Sequence, residues 1–322
     1  MAKPWWLAMG GMLVLAPAIP YCQGYPSKPI RIVVPFAPGG NIDITARIMA
    51  PGLTEFLGQP VVVENRGGAG GRIGSTLVAK SPPDGYTLLL GASGTLVAQP
   101  VFHDDIEYQP VRDFVYTSLL SLVPSALVVH PSLPVRSVRE IIAFARARPR
   151  ELLMGSAGQG SGTHLMGELF QSMAQVKFTH VPYKSGSTAA VAIVSGEVHL
   201  VFDQISSSGP FIKTGRLRAL AVTATQRSKF LPDVPTIDES GLRGYDYSTY
   251  TTLAIPAATP RETVQKLRDA VDAVIAQPRT REAFERLGAE IFPGTAEDFT
   301  RRLQQDYARW VRVRKETGIK ID

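Results

Sequence analysis

The sequence has 322 residues, 44% hydrophobic and 19% charged, which excludes both a disordered polyelectrolyte and a coiled coil. A single cysteine excludes an internal disulfide framework and a zinc site built from several thiolates. The net charge of +6 suits binding of anions but is too small and too scattered to mark a nucleic-acid binder.

Lys3 is the only charge before Lys28, and an apolar stretch runs from Trp5 to about Ile19. A positive start followed by about 15 apolar residues has the form of a secretory signal, whereas a membrane span needs about 20. Pro17 and Pro20 end the stretch, and cleavage is expected after Ala18 or after Gly24. A lipid anchor at Cys22 is disfavoured because Ile19-Pro20-Tyr21 is bulky where such signals carry small residues. An uncleaved N-terminal anchor is the alternative. The mature chain is therefore expected to be exported and soluble.

From residue 25 onward, short β-rich runs alternate with helical patterns. Ile30–Phe36, Val61–Asn65 and Tyr86–Leu90 read as strands. Between the first two, Ile44, Ile48, Phe56 and Leu57 predict a helix stopped by Gly58, with Pro51 expected to kink or break it. Nearly continuous apolar strands in β-α-β order imply a parallel sheet covered on both faces.

A second series starts near residue 126. Strands are predicted at Ala126–Val129, Leu152–Ser156, Lys177–Pro182, Val198–Phe202 and Leu217–Thr223. Ser137 and Glu140 form a capping box that opens a helix. Near the end, Thr259-Pro260-Arg261-Glu262 supplies cap, first-turn proline and acidic third position. A last helix begins at Thr295 and carries Phe299, Leu303, Tyr307 and Trp310 inward, with Arg309, Arg312, Arg314 and Lys315 on a solvated face.

These patterns predict two α/β lobes after a signal at 1–24: residues 25–120 with 250–322, and residues 121–249. Two crossing strands would join them, near 117–126 and 246–256, and allow hinging about a cleft.

Two glycine-rich loops open helices at equivalent places in the two lobes. The first is Pro35-Phe36-Ala37-Pro38-Gly39-Gly40-Asn41-Ile42-Asp43; the second runs from Gly155 to His164 and contains Ser156, Gly158, Gly160, Ser161 and Thr163. Glycine lets backbone N–H groups approach a ligand, and a helix start adds unpaired amides and the positive dipole end. Ligands of open α/β sheets lie beyond the carboxyl ends of strands, where these loops sit. An anion held between the two loops is the expected ligand. Asp43 either caps its own helix or meets the ligand. Ser93, Gly94 and Thr95 follow the third strand, Tyr183 and Lys184 offer an aromatic wall and a cation, and Asp203 is a turn residue or a ligand contact.

Known templates fail. Thr163 stands where a dinucleotide fingerprint needs its third glycine, and Ser161-Gly162 replaces the Lys-Ser/Thr of a phosphate loop. Thr95 breaks a nucleophile-elbow pattern. The five histidines show no metal-ligand spacing. No cofactor, metal or nucleic acid is expected.

Taken together, these segments resemble the Bug family, the extracytoplasmic solute receptors of tripartite tricarboxylate transporters. The likeness rests on Tyr25–Ile30, Pro35–Arg47, Gly58–Gly71, Pro83–Leu88, Gly155–His164, His180–Lys184, Leu217–Thr223, Leu231–Thr236 and Trp310. It implies a monomeric periplasmic binding protein of two α/β lobes that is not an enzyme. Such a protein closes over a small carboxylate (di- or tricarboxylate, aromatic carboxylate or acidic amino acid) and hands it to membrane subunits or a sensor. It also implies that Phe36, Ala37, Gly40 and Asp43 line one side of the pocket, and Ser156, Ser161, Thr163, His164 and Asp203 the other. The sequence departs from the family at Pro51, Tyr116 and Tyr250-Thr251-Thr252. A secreted hydrolase or isomerase using Ser93, Ser161 or His164 is the rival reading.

Overall fold

A computed structural model describes residues 24–291 and 294–317. The signal-like segment, with Ala18 and Cys22, lies outside the described residues. Among those residues no helix is long and apolar enough to cross a membrane.

The chain builds two five-stranded sheets. The first lobe opens with β1 (Ile30–Val34), α1 (Asn41–Leu57), β2 (Val61–Asn65), α2 (Arg72–Ala79) and β3 (Thr87–Ala92). A π turn at Gly94–Ala98 leads into short α3 (Gln99–Phe102) and α4 (Pro110–Asp113), then β4 (Phe114–Val123). After Pro124 the second lobe follows: β5 (Ser125–Val129), α5 (Val138–Ala147), β6 (Leu153–Ser156), α6 (Gly162–Ala174), β7 (Thr179–Pro182), α7 (Gly186–Val194), β8 (Leu200–Gln204), α8 (Ile205–Lys213) and β9 (Arg218–Val222). The chain returns through β10 (Thr249–Pro256) and ends in α9 (Arg261–Ala276), α10 (Pro278–Leu287) and α11 (Ala296–Thr317).

Strand order is β2-β1-β3-β10-β4 in the first sheet and β7-β6-β8-β5-β9 in the second. Neither sheet is purely parallel, contrary to the expectation from apolar runs. β10 runs antiparallel to β3 and β4, and β5 antiparallel to β8 and β9. Each reversed strand is the one that enters its sheet from the other lobe. A strand arriving this way lacks the helical crossover that forces parallel pairing.

Three apolar layers hold the lobes. Ile30, Ile32, Val34, Leu88 and Leu90 face Met49 and Leu53 of α1 and Leu267, Val271 and Val274 of α9. The opposite face of that sheet packs α2, the π turn and α11, and this layer runs on beneath β5, β6 and β8 onto α5 and α6. Ala189 and Ile193 of α7 cover the remaining face of the second sheet.

Several local expectations need correction. Helix α1 runs unbroken through Pro51. Pro51 is exposed on the solvent side, where carbonyls of a helix wrapped around a core already tilt toward water. The buried stripe of α1 is Ile42, Ala46, Met49, Leu53 and Leu57, while Phe56 stays 47% exposed. At α5, Ser137 caps the Glu140 amide, but the Glu140 carboxylate returns to the Arg136 N–H, one residue further back. Pro260, not Thr259, occupies the cap of α9, with no side-chain bond. Arg314 donates to the Val101 carbonyl and pairs with Asp104, and Arg309 pairs with Asp246. Those two cations therefore anchor α11, whereas Arg312 and Lys315 stay exposed.

Gly52 of α1 faces α9 so closely that a Cβ there would lie 2.7 Å from Val274 Cγ1. Replacing Gly by Ala in a helix normally gains about 1 kcal/mol, and overpacking a core costs about 1–3 kcal/mol. Val274 is fully buried and cannot yield, so the clash should win. Gly52→Ala is expected to lower stability by about 1 kcal/mol in urea unfolding, whereas a gain would show that α9 shifts freely.

Candidate functional site

The cleft is built around helix starts. Helix α1 begins at Gly40, whose φ of −83° and ψ of 167° place it as a cap with no side chain to satisfy the first turn. The first helical bond joins Ile44 N–H to Gly40 O, so the amides of Asn41, Ile42 and Asp43 have no partner within the helix. In the second lobe, the Ser161 hydroxyl caps α6 at the His164 N–H, which leaves the amides of Gly162 and Thr163. The Ser185 hydroxyl caps α7 at the Thr188 N–H and leaves those of Gly186 and Ser187. The starts of all three helices border one enclosed cavity of about 30 Å³, together with Phe36, Ala92, Gly94, Ala157, Gln204 and Thr249. Each start brings orphan donors and a positive dipole end.

Phe36 and Ala157 also border a larger mouth of about 840 Å³, lined by Ala37, Pro38, Gly158, Tyr183, Lys184 and the Gly67–Gly71 turn. The inner cavity has room for about one small polar group, since a water needs about 10–15 Å³ on the same measure. Any larger part of a ligand must extend into the mouth.

The lobes meet closely at this point. A Cβ on Gly94 would lie 2.7 Å from the Gly162 nitrogen. Asn41 Nδ2 donates to Ser206 Oγ at 2.9 Å, and Gln99 Nε2 donates to the Gln159 carbonyl at 3.1 Å. Gly160, at φ +68°, tucks under Gln99 and His103, a conformation and clearance only glycine offers.

The predicted site residues divide into two groups. Phe36, Gly40, Asp43, Gly94, Ser161 and Thr163 line the inner cavity, and Ala37, Pro38, Gly158 and Tyr183 line the mouth. Ser93 faces a separate recess beside Tyr247 and Trp310. The Thr95 hydroxyl is turned back onto the Ala92 backbone, and Gly39 donates its N–H to Asp43. Neither Ser156 nor His164 borders the cavity. Ser156 Oγ meets His180 Nε2 at 2.6 Å, and His164 Nδ1 accepts from the Gly160 N–H at 3.0 Å. The polar side chains of the second loop therefore shape it from within, with Thr163 Oγ1 accepting from the Ala157 N–H.

His164 and His180 stack face to face at 3.7 Å. Burial, reinforced by the neighbouring His164, pushes His180 down to about 3, so this ring stays neutral at physiological pH.

Asp43 is a structural anchor. Burial pushes its carboxyl up, but bonds from Arg47, the Gly39 N–H and Asn65 outweigh that and hold it below the usual range. Asp203 is the opposite case. It is 1% exposed, and neither carboxylate oxygen reaches a hydrogen-bond partner. Burial pushes its carboxyl up to about 8, and the nearby Gln204 N–H opposes this only weakly because it makes no hydrogen bond of good geometry to either oxygen. It stands behind Gln204 and Gly186, one layer outside the cavity lining.

Sequence reasoning missed the third helix start, Gln204 and Thr249, and gave Asn41 no role. The α7 start was readable in principle: Ser185 and Thr188 have capping-box spacing just before an apolar run. Thr249 directly precedes the divergent Tyr250-Thr251-Thr252 segment, whose two threonines bond instead to Ser121 and Thr117 within the sheet.

A two-lobed fold with anion-ready helix ends facing each other across a cleft defines a solute-binding protein. Residues 45–319 match the family described as the tripartite tricarboxylate transporter family receptor, and the chain belongs to that family, in which the Bug proteins fall. It is 36% identical to Protein BugT of Bordetella pertussis, over 92% of this chain and 91% of that protein. Among solved structures, Rpa4515 of Rhodopseudomonas palustris with adipate is 38% identical with a TM-score of 0.87, covering 92% of this chain and 99% of that one. MatC from Rhodopseudomonas palustris with bound malate is 32% identical with a TM-score of 0.87, covering 90% and 99%. The periplasmic binding protein BugD is 33% identical with a TM-score of 0.87, covering 92% of this chain and 99% of that one, and membership of a receptor family sets aside the hydrolase or isomerase reading. Consistently, the Ser161 hydroxyl is bonded to Thr163 and the His164 amide, with no base positioned on it.

The Asp203 carboxyl makes stability pH-dependent. Between its ordinary value of 3.8 and about 8 the folded protein keeps a proton that the unfolded chain loses, so stability falls as pH rises through that window. Asp203→Asn, which cannot ionise, should raise the melting temperature relative to wild type progressively from pH 5 to pH 8. An equal difference at both pH values would mean that the carboxyl is ionised in the fold.

Proposed function

We propose that this protein is an exported receptor that captures a small carboxylate between its lobes and delivers it to the membrane subunits of a tripartite tricarboxylate transporter. The observation that carries this reading is the convergence of three helix starts on one cavity. Six first-turn amides of residues bordering it, those of Asn41, Ile42, Asp43, Gly162, Thr163 and Gly186, are donors without helical acceptors, and a carboxylate supplies the acceptors they lack. No basic side chain lines the inner cavity, so the anion is held by backbone dipoles rather than by an ion pair. The adipate and malate bound by the two Rhodopseudomonas proteins support the same ligand class.

The expected lobes, 25–120 with 250–322 and 121–249, fit this reading with their boundaries moved a few residues, since β4 stays in the first sheet to Val123 and β10 re-enters it at Thr249. Hinging falls at Pro124 and in the return segment, where Tyr247 N–H bonds to Thr223 O before β10 begins. The lysine-led apolar leader supports export to the periplasm, and a single chain supplies every wall of the cavity, which supports a monomer.

Differential scanning fluorimetry with mono-, di- and tricarboxylates should raise the melting temperature for some members, since ligand at 100 times its dissociation constant adds about 2.7 kcal/mol. The protein should first be unfolded and refolded to strip bound ligand. If no carboxylate shifts the transition after that treatment, the receptor reading fails.

Gly94→Val tests the close approach of the two lobes at the cavity wall. Its side chain would collide with the Gly162 backbone of the other lobe. Affinity is expected to fall by at least about tenfold, with each lobe still folded by circular dichroism. Unchanged affinity would show that binding needs no close approach at this contact.

A further inference from the structure

We propose that Asn41 sets specificity by accepting a hydrogen bond from a hydroxyl on the carbon next to the ligand's carboxylate, so that the receptor prefers 2-hydroxy carboxylates to their deoxy counterparts. This rests on the carboxylate-receptor reading above and narrows its ligand class.

Asn41 is the first residue of α1, is 2% exposed and borders the inner cavity. Its Nδ2 is committed to Ser206 Oγ at 2.9 Å, which fixes the side-chain amide. Its Oδ1 is buried with no donor. Thr249 Oγ1, on another wall of the same cavity, is likewise buried without a partner. Buried acceptors are normally satisfied.

A plain carboxylate answers the backbone amides and can accept from the Thr249 hydroxyl, but it carries only acceptors and leaves Asn41 Oδ1 without a donor. The orphan donor and the orphan acceptor of Asn41 belong to one residue, its N–H and its Oδ1. A carboxylate with a hydrogen-bond donor on the adjacent carbon presents the complementary pair, an acceptor for the amide and a donor for Oδ1.

Charge decides between hydroxyl and ammonium. Three positive helix ends face the cavity. The Asp43 carboxylate is spent on Arg47, Gly39 and Asn65. Burial keeps Asp203 largely protonated at neutral pH. Among the described residues neither of these carboxylates is free to hold an ammonium, so the donor is a neutral hydroxyl.

Isothermal titration calorimetry at pH 7 with stripped protein tests this using the pairs lactate and propionate, malate and succinate, mandelate and phenylacetate, with aspartate as the amino counterpart of malate. In whichever pair binds, the hydroxy acid should bind about tenfold tighter or better. Aspartate should bind more weakly than malate, and Asn41→Ala should bring hydroxy and deoxy acids to within about threefold. Asn41→Ser, too short to reach the hydroxyl, serves if the alanine variant does not fold. Equal affinities within the binding pairs, an undiminished preference in the variants, or tighter binding of aspartate each overturns the proposal. Binding of deoxy acids without preference would leave the receptor reading standing; binding of no carboxylate at all would remove that reading instead.

Discussion

The structure depends on amides that its own fold cannot satisfy. Every helix start leaves such groups, and most proteins give them to side chains or to water. Here the cap of α1 is a glycine, and the Ser161 and Ser185 caps each serve only one amide of their helix. The remaining donors of three helices, from both lobes, surround a space of about 30 Å³. As the lobes close and shed water from that space, the amides lose their solvent partners, and an anion is the species that replaces them at least cost. On the proposed reading, closure and anion capture are the same event, which is how a receptor couples occupancy to shape.

The remaining chemistry of the two loops keeps these donors in place. Asp43 ties Gly39 to Arg47 and Asn65, so the turn before α1 has one conformation. Ser156, His180, His164 and Thr163 do the same for the turn before α6. A cradle of backbone groups works only if its geometry exists before the ligand arrives, because ordering it afterwards would consume binding free energy. The side chains that look most ligand-like in the sequence are therefore mostly scaffolding, and the donors left free are backbone amides, those of Asn41, Ile42 and Asp43 as much as those of Gly162 and Gly186.

Much of this was legible in advance. The two lobes, the alternation of strands and helices, and the glycine loops at equivalent helix starts all follow from apolar periodicity and turn chemistry, which act over a few residues. What was not legible depends on contacts between distant segments. The reversal of β5 and β10 arises from how a strand enters a sheet, not from its own residues. Pro51 is tolerated because it faces water, which depends on where α9 and α10 pack. Arg309 and Arg314 gain partners only because α11 crosses the return segment and the end of α3. Asn41 and Thr249 become neighbours of one cavity only when the lobes meet, with more than two hundred residues between them.

The treatment of charge separates this cleft from a site that grips its ligand with arginine. A guanidinium would fix a carboxylate strongly and in one geometry, but it would also bind phosphate and sulfate in the same place. Backbone dipoles supply less attraction per group, so discrimination must come from the shape of the walls and from the few polar atoms left unpaired. Asp203 fits that logic. An ionised carboxylate so close to α7 would oppose the anion, and its burial, with no cation beside it, favours the neutral form instead. A neutral Asp203 then leaves the positive end of α7 unopposed, and an anion held by backbone dipoles can leave without breaking an ion pair.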